Sequence, residues 1–112
     1  MFTSYFNKYK LHNFQNVVSI AGKCPDWYEG REYKLLAPKY WFFIKYKEDG
    51  DITFYKEMYY KEVLNHLDPL KVYNELGENS VLLCYEKPND FCHRHLVAEW
   101  LMKNLNIEII EI

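Results

Sequence analysis

Runs of apolar residues and the polar breaks between them predict strands near both ends of the chain and helices in the middle. The opening FTSYF is short and β-prone, and NVVSIA (Asn16–Ala21) is β-branched and continuously apolar, the pattern of a strand buried on both faces. Between them NKYKLHNFQ has room only for a short helix or turn. GKCPDWYEG (Gly22–Gly30) is broken by Gly and Pro and is expected to be loop. APKYWFFIKYKEDG predicts a helix with Pro38 at its start and Gly50 past its end. DITFYKEMYYKEVLNHLDP predicts a second, with Asp51 as N-cap and Pro69 as stop; Phe54, Met58, Val63 and Leu67 fall near helical spacing on one face. PLKVYNELG predicts a third that closes at Gly77.

SVLLCYE (Ser80–Glu86) is the most strand-like run. After KPNDF a helix is expected from Cys92 to Asn104, and IEIIEI then reads as a last strand. Strand, helix and strand in that order form a βαβ unit, whose crossover makes the strands parallel. The prediction is one α/β domain over residues 1–112, a mostly parallel sheet of about four strands with helices on its faces.

In such sheets ligands bind beyond the carboxyl ends of the strands, where loops lead into helix N-termini. That rule selects the loop after the second strand, with Ser19, Lys23, Trp27 and Tyr28, and the loop after the third, with Cys84, Glu86, Cys92, His93, Arg94 and His95. Ser4, Tyr5 and Asn7 are placed to complete the mouth.

On a helical wheel, Val97, Leu101 and Leu105 mark the buried face of the last helix, and Arg94 falls on the same side. An arginine there needs a carboxylate partner or an anionic ligand. Glu86 is the nearest carboxylate in sequence, so a plain Arg94–Glu86 ion pair and an anion-holding arginine both fit. Cys92, beside His93 and Arg94 at a helix start, sits where a thiolate is favoured, which makes it a candidate nucleophile; inert packing is the competing account. Glu86 is the candidate base. Cys84 reads as core, or as a resolving thiol.

Trp27, Tyr28 and Tyr33 are candidate pocket walls for a planar ring, or simply cover a sheet edge. Lys23, Ser19 and His93 complete the candidate ligand contacts. C-x7-C-H-x-H is not a zinc pattern, and His93 and His95 diverge by about 200° on a helix, so no metal is expected; Cys92 with His95, joined by Cys84, is the one geometric option for an ion.

Composition narrows the partners. Of 112 residues, 49% are hydrophobic and 27% charged, which suits a folded globule rather than a disordered chain. A net charge of −2 gives no footprint for extended duplex DNA. Three cysteines are too few and odd in number for a disulfide framework, so reduced thiols are expected. No apolar run approaches a membrane span and the N-terminus has no signal-peptide layout, so the expected location is cytoplasmic.

TSYF, SIAGKCPDWYEG, YKLLAPK, NHLDPLKV and LLCYEKPNDFCHRHLVAEWL occur in this order over nearly the full length. Together they resemble the small bacterial and phage proteins of domain-of-unknown-function family 488. The resemblance implies an α/β fold whose signature is a Cys-x-Glu strand end and a Cys-His-Arg helix start, here Cys84, Glu86, Cys92, His93 and Arg94. It implies no established reaction and leaves the cofactor unknown.

The expectation is thus an enzyme acting on a small anionic, nucleotide-like molecule. Two alternatives stand beside it: a non-catalytic binder of a nucleotide or nucleic-acid end, and a thiol or metal sensor.

Overall fold

The computed structural model describes residues Met1–Ile112. Five strands form one sheet: β1 (Phe2–Tyr5), β2 (Val17–Ser19), β3 (Arg31–Glu32), β4 (Val81–Cys84) and β5 (Ile110–Glu111). Their order is β3-β2-β4-β1-β5, and every pairing is parallel. The helices are α1 (Phe6–His12), α2 (Tyr40–Asp49), α3 (Ile52–Glu62), α4 (Pro69–Leu76) and α5 (His93–Leu105). A Cα radius of gyration of 13.3 Å is that of a single domain of this length.

Register explains how the two faces divide. Thr3 and Val18 both pair with Leu82, and Thr3 also pairs with Glu111, so these four residues share one face. On that face Val18 and Leu82 enter the larger core, with Phe42 of α2, Tyr55 and Tyr59 of α3, Val72 and Leu76 of α4, and Val97 and Leu101 of α5. On the other face Val17, Val81 and Leu83 pack with Phe6 of α1 and Ala21. β2 and β4 are buried throughout, which is why their sequences are apolar without alternation.

The caps follow local chemistry. Asp51 accepts from the Phe54 N–H and starts α3, and Gly50, at φ 66°, closes α2 in a left-handed conformation that suits glycine. Two expectations change. Pro69 is not a stop for α3, which ends at Glu62; it is the first residue of α4, behind Asp68, whose carboxylate accepts from the Leu70 N–H. The sheet has five strands rather than four, because β3 forms from two exposed residues, Arg31 and Glu32, too short a run to leave a periodic signal.

Candidate functional site

Beyond the carboxyl ends of β2 and β4 lies a cavity of about 600 Å³. Ala21, Gly22 and Lys23 line it from the end of β2, and Cys84, Tyr85 and Glu86 from the end of β4. α2 supplies Tyr40, Phe43, Tyr46 and Lys47, α3 supplies Tyr55, and the segment entering α5 supplies Phe91, Cys92 and His93. Phe91 meets Tyr46 and Tyr55 edge to face, with ring centroids 5.4 and 4.9 Å apart. The Glu86 carboxylate is 3.5 Å from the Lys47 ammonium. The walls are therefore aromatic, with a small number of charges among them.

Cys92 is the N-cap of α5 and His93 its first residue. His93 is buried, and its Nε2 lies 2.7 Å from the Ile20 carbonyl oxygen. A carbonyl can only accept, so Nε2 carries the proton and Nδ1 keeps its lone pair. Nδ1 is 3.8 Å from the Cys92 sulfur. Burial pushes the imidazole pKa down to about 4, against the opposing effect of the Ile20 hydrogen bond and with help from the Arg94 charge, so the ring is neutral near neutral pH.

The sulfurs of Cys84 and Cys92 are in bonding contact, with Cα atoms 7.1 Å apart, wide for a disulfide. A disulfide is thus one state open to this pair, beside the reduced thiols expected from the cysteine count. The fold brings the end of β4 against the start of α5 across a short loop, so a pair forms locally at the cavity without any wider framework. Cys24 stays free; its thiol lies 3.1 Å from both the Ser19 hydroxyl and a Glu32 carboxylate oxygen.

Arg94 is fully buried, as the wheel of α5 requires, but its carboxylate partner is Glu111 rather than Glu86. Its Nε donates to Glu111 Oε1 at 3.0 Å and its Nη2 to Oε2 at 2.8 Å, a two-point pairing. Nη1 donates to the Glu86 backbone carbonyl at 2.7 Å and to the Cys84 sulfur at 3.2 Å. Thr3 Oγ1 adds a 2.6 Å hydrogen bond to Glu111. Burial alone would raise the Glu111 carboxyl, but the hydrogen bonds from Arg94 and Thr3 outweigh it and the pKa lies below the ordinary value.

Of the residues singled out from sequence, Lys23, Cys84, Glu86, Cys92 and His93 meet at the cavity. Ser19, Trp27, Tyr28 and Arg94 are not among its lining residues. Ser19 is buried and accepts from the Ala21 N–H. Trp27 and Tyr28 pack on Phe6 and Tyr9 on the α1 side of the sheet, covering its smaller core. His95, the option for an ion beside Cys92, is not among the cavity's lining residues.

The α2 wall was not anticipated. Its signal was present: Tyr40, Phe43 and Lys47 stand at i, i+3 and i+7, a second stripe beside the buried Phe42, and YWFFIKY is too aromatic for one core-facing stripe.

Residues 13–105 match DUF488-N3a, described as the active DUF488-N3 subclade. The chain belongs to the DUF488 family. Its matched span includes every residue that lines the cavity, so the pocket is built entirely within the DUF488 part of the chain. No curated protein and no solved structure gives a significant match.

Proposed function

We propose that this DUF488 protein is an enzyme that acts on a nucleotide-like, anionic small molecule in the cavity at the carboxyl ends of β2 and β4. One observation carries the reading: a ligand-sized aromatic cavity has two lysines in its lining and a Cys92–His93 pair in its wall. Tyrosine and phenylalanine faces accept a planar base, while Lys23 and Lys47 supply charge for a phosphate or carboxylate.

In the reduced protein Cys92 is the nucleophile, and His93 Nδ1, the lone-pair nitrogen 3.8 Å away, accepts its proton. Glu86, held by Lys47, is the second candidate for proton transfer. Arg94 acts from behind the wall. By donating to the Cys84 sulfur and the Glu86 carbonyl it positions the strand end that carries both, without meeting the ligand itself. Ser19, Trp27 and Tyr28 support the β2 loop and are not assigned a ligand contact.

The test is calorimetric titration of reduced, chelator-treated protein with a panel of nucleoside monophosphates and the matching nucleosides, followed by chromatography for products. Nucleotides are expected to bind at least about tenfold more tightly than nucleosides, with Lys47→Ala removing most of that preference. Cys92→Ala should keep binding and lose turnover. A folded protein that binds no member of the panel at millimolar concentration would sink the reading.

A further inference from the structure

Cys84, Cys92 and His93 place one ligating atom each within 4.8 Å of one another, all three residues are buried, and all three line the cavity. We infer that in the reduced protein they form a three-ligand site for a zinc-class divalent cation, with the fourth position open to the cavity. The donor set is two thiolates and one imidazole, a combination that selects zinc over magnesium or calcium.

The geometry agrees in three respects. First, two thiolates on one tetrahedral zinc lie about 3.8 Å apart, and thiolate and imidazole nitrogen about 3.6 Å. The 3.8 Å from His93 Nδ1 to the Cys92 sulfur is close to such an edge already. The Cα separation of Cys84 and Cys92, 7.1 Å, is wide for a disulfide and leaves room for the sulfurs to part around an ion. Second, His93 is oriented as a ligand: its Nε2–H is held by the Ile20 carbonyl, so the free lone pair is the one facing the cysteines. A fixed tautomer of this kind is the usual outer support of a metal-bound histidine. Third, Arg94 Nη1 donates to the Cys84 sulfur at 3.2 Å, a charged hydrogen bond that favours the thiolate form a metal needs.

The third ligand is His93, and not the His95 that helical spacing left as the option for an ion. His93 is the first residue of α5, next to the N-cap Cys92, and its ring meets the Cys92 sulfur from there, while His95 lies about 200° further round the helix.

Metal binding and nucleophilic use are exclusive states of Cys92, because a thiolate bound to zinc is no longer free to attack. The disulfide is a third state of the same pair. The site therefore goes beyond the proposed reaction and stands or falls separately from it.

The experiment is titration of the reduced 112-residue chain with Co²⁺ in oxygen-free buffer after reductant is removed, followed by Zn²⁺ competition. Expected is saturation at one equivalent, with a near-ultraviolet thiolate-to-cobalt band, visible bands of a four-coordinate ion, and displacement by Zn²⁺. Cys24→Ser should leave the titration unchanged. Cys84→Ser and Cys92→Ser should each lose the one-equivalent binding, and His93→Gln should weaken it at least tenfold. One equivalent of Zn²⁺ should also slow alkylation of Cys92 at least tenfold in the wild-type protein. If the folded, reduced wild-type chain shows no thiolate-to-cobalt band, or if Zn²⁺ leaves Cys92 alkylation unchanged, the site is refuted. Both readouts use the wild type, so a misfolded variant cannot decide the matter, and neither depends on nucleotide binding.

Discussion

His93 and Arg94 are neighbours at the start of α5, both buried and both polar, yet they serve opposite halves of the sheet. Arg94 faces β1, β5 and the end of β4, where Glu111, the Glu86 carbonyl and the Cys84 sulfur accept from its Nε, Nη1 and Nη2, and Thr3 donates to the same Glu111 carboxylate. His93 faces β2 and the cavity, where one nitrogen is held by Ile20 and the other meets only a cysteine sulfur at 3.8 Å. The difference separates two uses of a buried polar group. A saturated one fixes geometry, because losing any partner leaves an unmet charge; an unsaturated one facing a cavity keeps bonding capacity for something else.

The largest effect that tests this contrast is on stability. Arg94→Ala leaves the Glu111 carboxylate without its partner and should cost about 3–5 kcal/mol in chemical denaturation. The double variant Arg94→Met with Glu111→Leu removes both charges and should recover much of that loss, since replacing a buried pair by apolar groups is often close to neutral. If the double variant is as unstable as the single one, the pair is not what holds the β1–β5 half. The arginine would then be needed for its contacts with Cys84 and the Glu86 carbonyl.

A second, smaller effect is on pH dependence. Glu111 has a folded-state pKa below its ordinary 4.5, so its contribution to stability is fully present above that value. It declines as pH falls below 4.5 and is gone once pH passes the folded-state pKa. Denaturation midpoints measured across acid pH should therefore fall more steeply for the wild type than for Glu111→Gln. His93 runs in the same direction but starts at higher pH. Its folded pKa of about 4 is depressed below the ordinary 6.5, so acid favours the unfolded state, where the ring can be protonated. Its loss of stability begins below about pH 6.5, ahead of that from Glu111, and His93→Gln should flatten that upper portion alone.

Much of this arrangement was legible in the sequence. The apolar runs at Phe2–Tyr5, Val17–Ser19 and Val81–Cys84 give the three central strands, and parallel pairing follows from the helices between them. The ligand rule for parallel sheets points to the end of the sheet where the cavity lies, and Lys23, Glu86, Cys92 and His93 line it. Arg94's burial could be read from the wheel, but its partner could not. Glu111 is 17 residues away in sequence and reaches Arg94 only because β5 pairs with β1 instead of β4. Trp27 and Tyr28 lie apart from the cavity for a related reason: their loop leaves β2 towards the α1 face, where they pack on Phe6, and no local pattern records that. The meeting of Cys84 with Cys92 depends likewise on how the intervening loop folds back.

The smallest stability effect should come from the residue with the greatest chemical consequence. Cys92→Ala, compared with wild type under reducing conditions, removes one small buried sulfur, which costs on the order of 1 kcal/mol. No buried charge is stranded, because His93 Nδ1 merely loses a distant neighbour while Nε2 keeps Ile20. The same substitution should abolish the fastest-reacting thiol when wild type and variant are alkylated near neutral pH and mapped by mass spectrometry. Arg94→Lys, which keeps a charge but not the two-point pairing with Glu111, should invert the pattern: a stability loss larger than that of Cys92→Ala, with Cys92 still the first thiol modified. If Cys92→Ala instead proves as damaging as Arg94→Ala, the cavity wall is part of the structural half, and the division between a saturated arginine and an unsaturated histidine fails where it matters most.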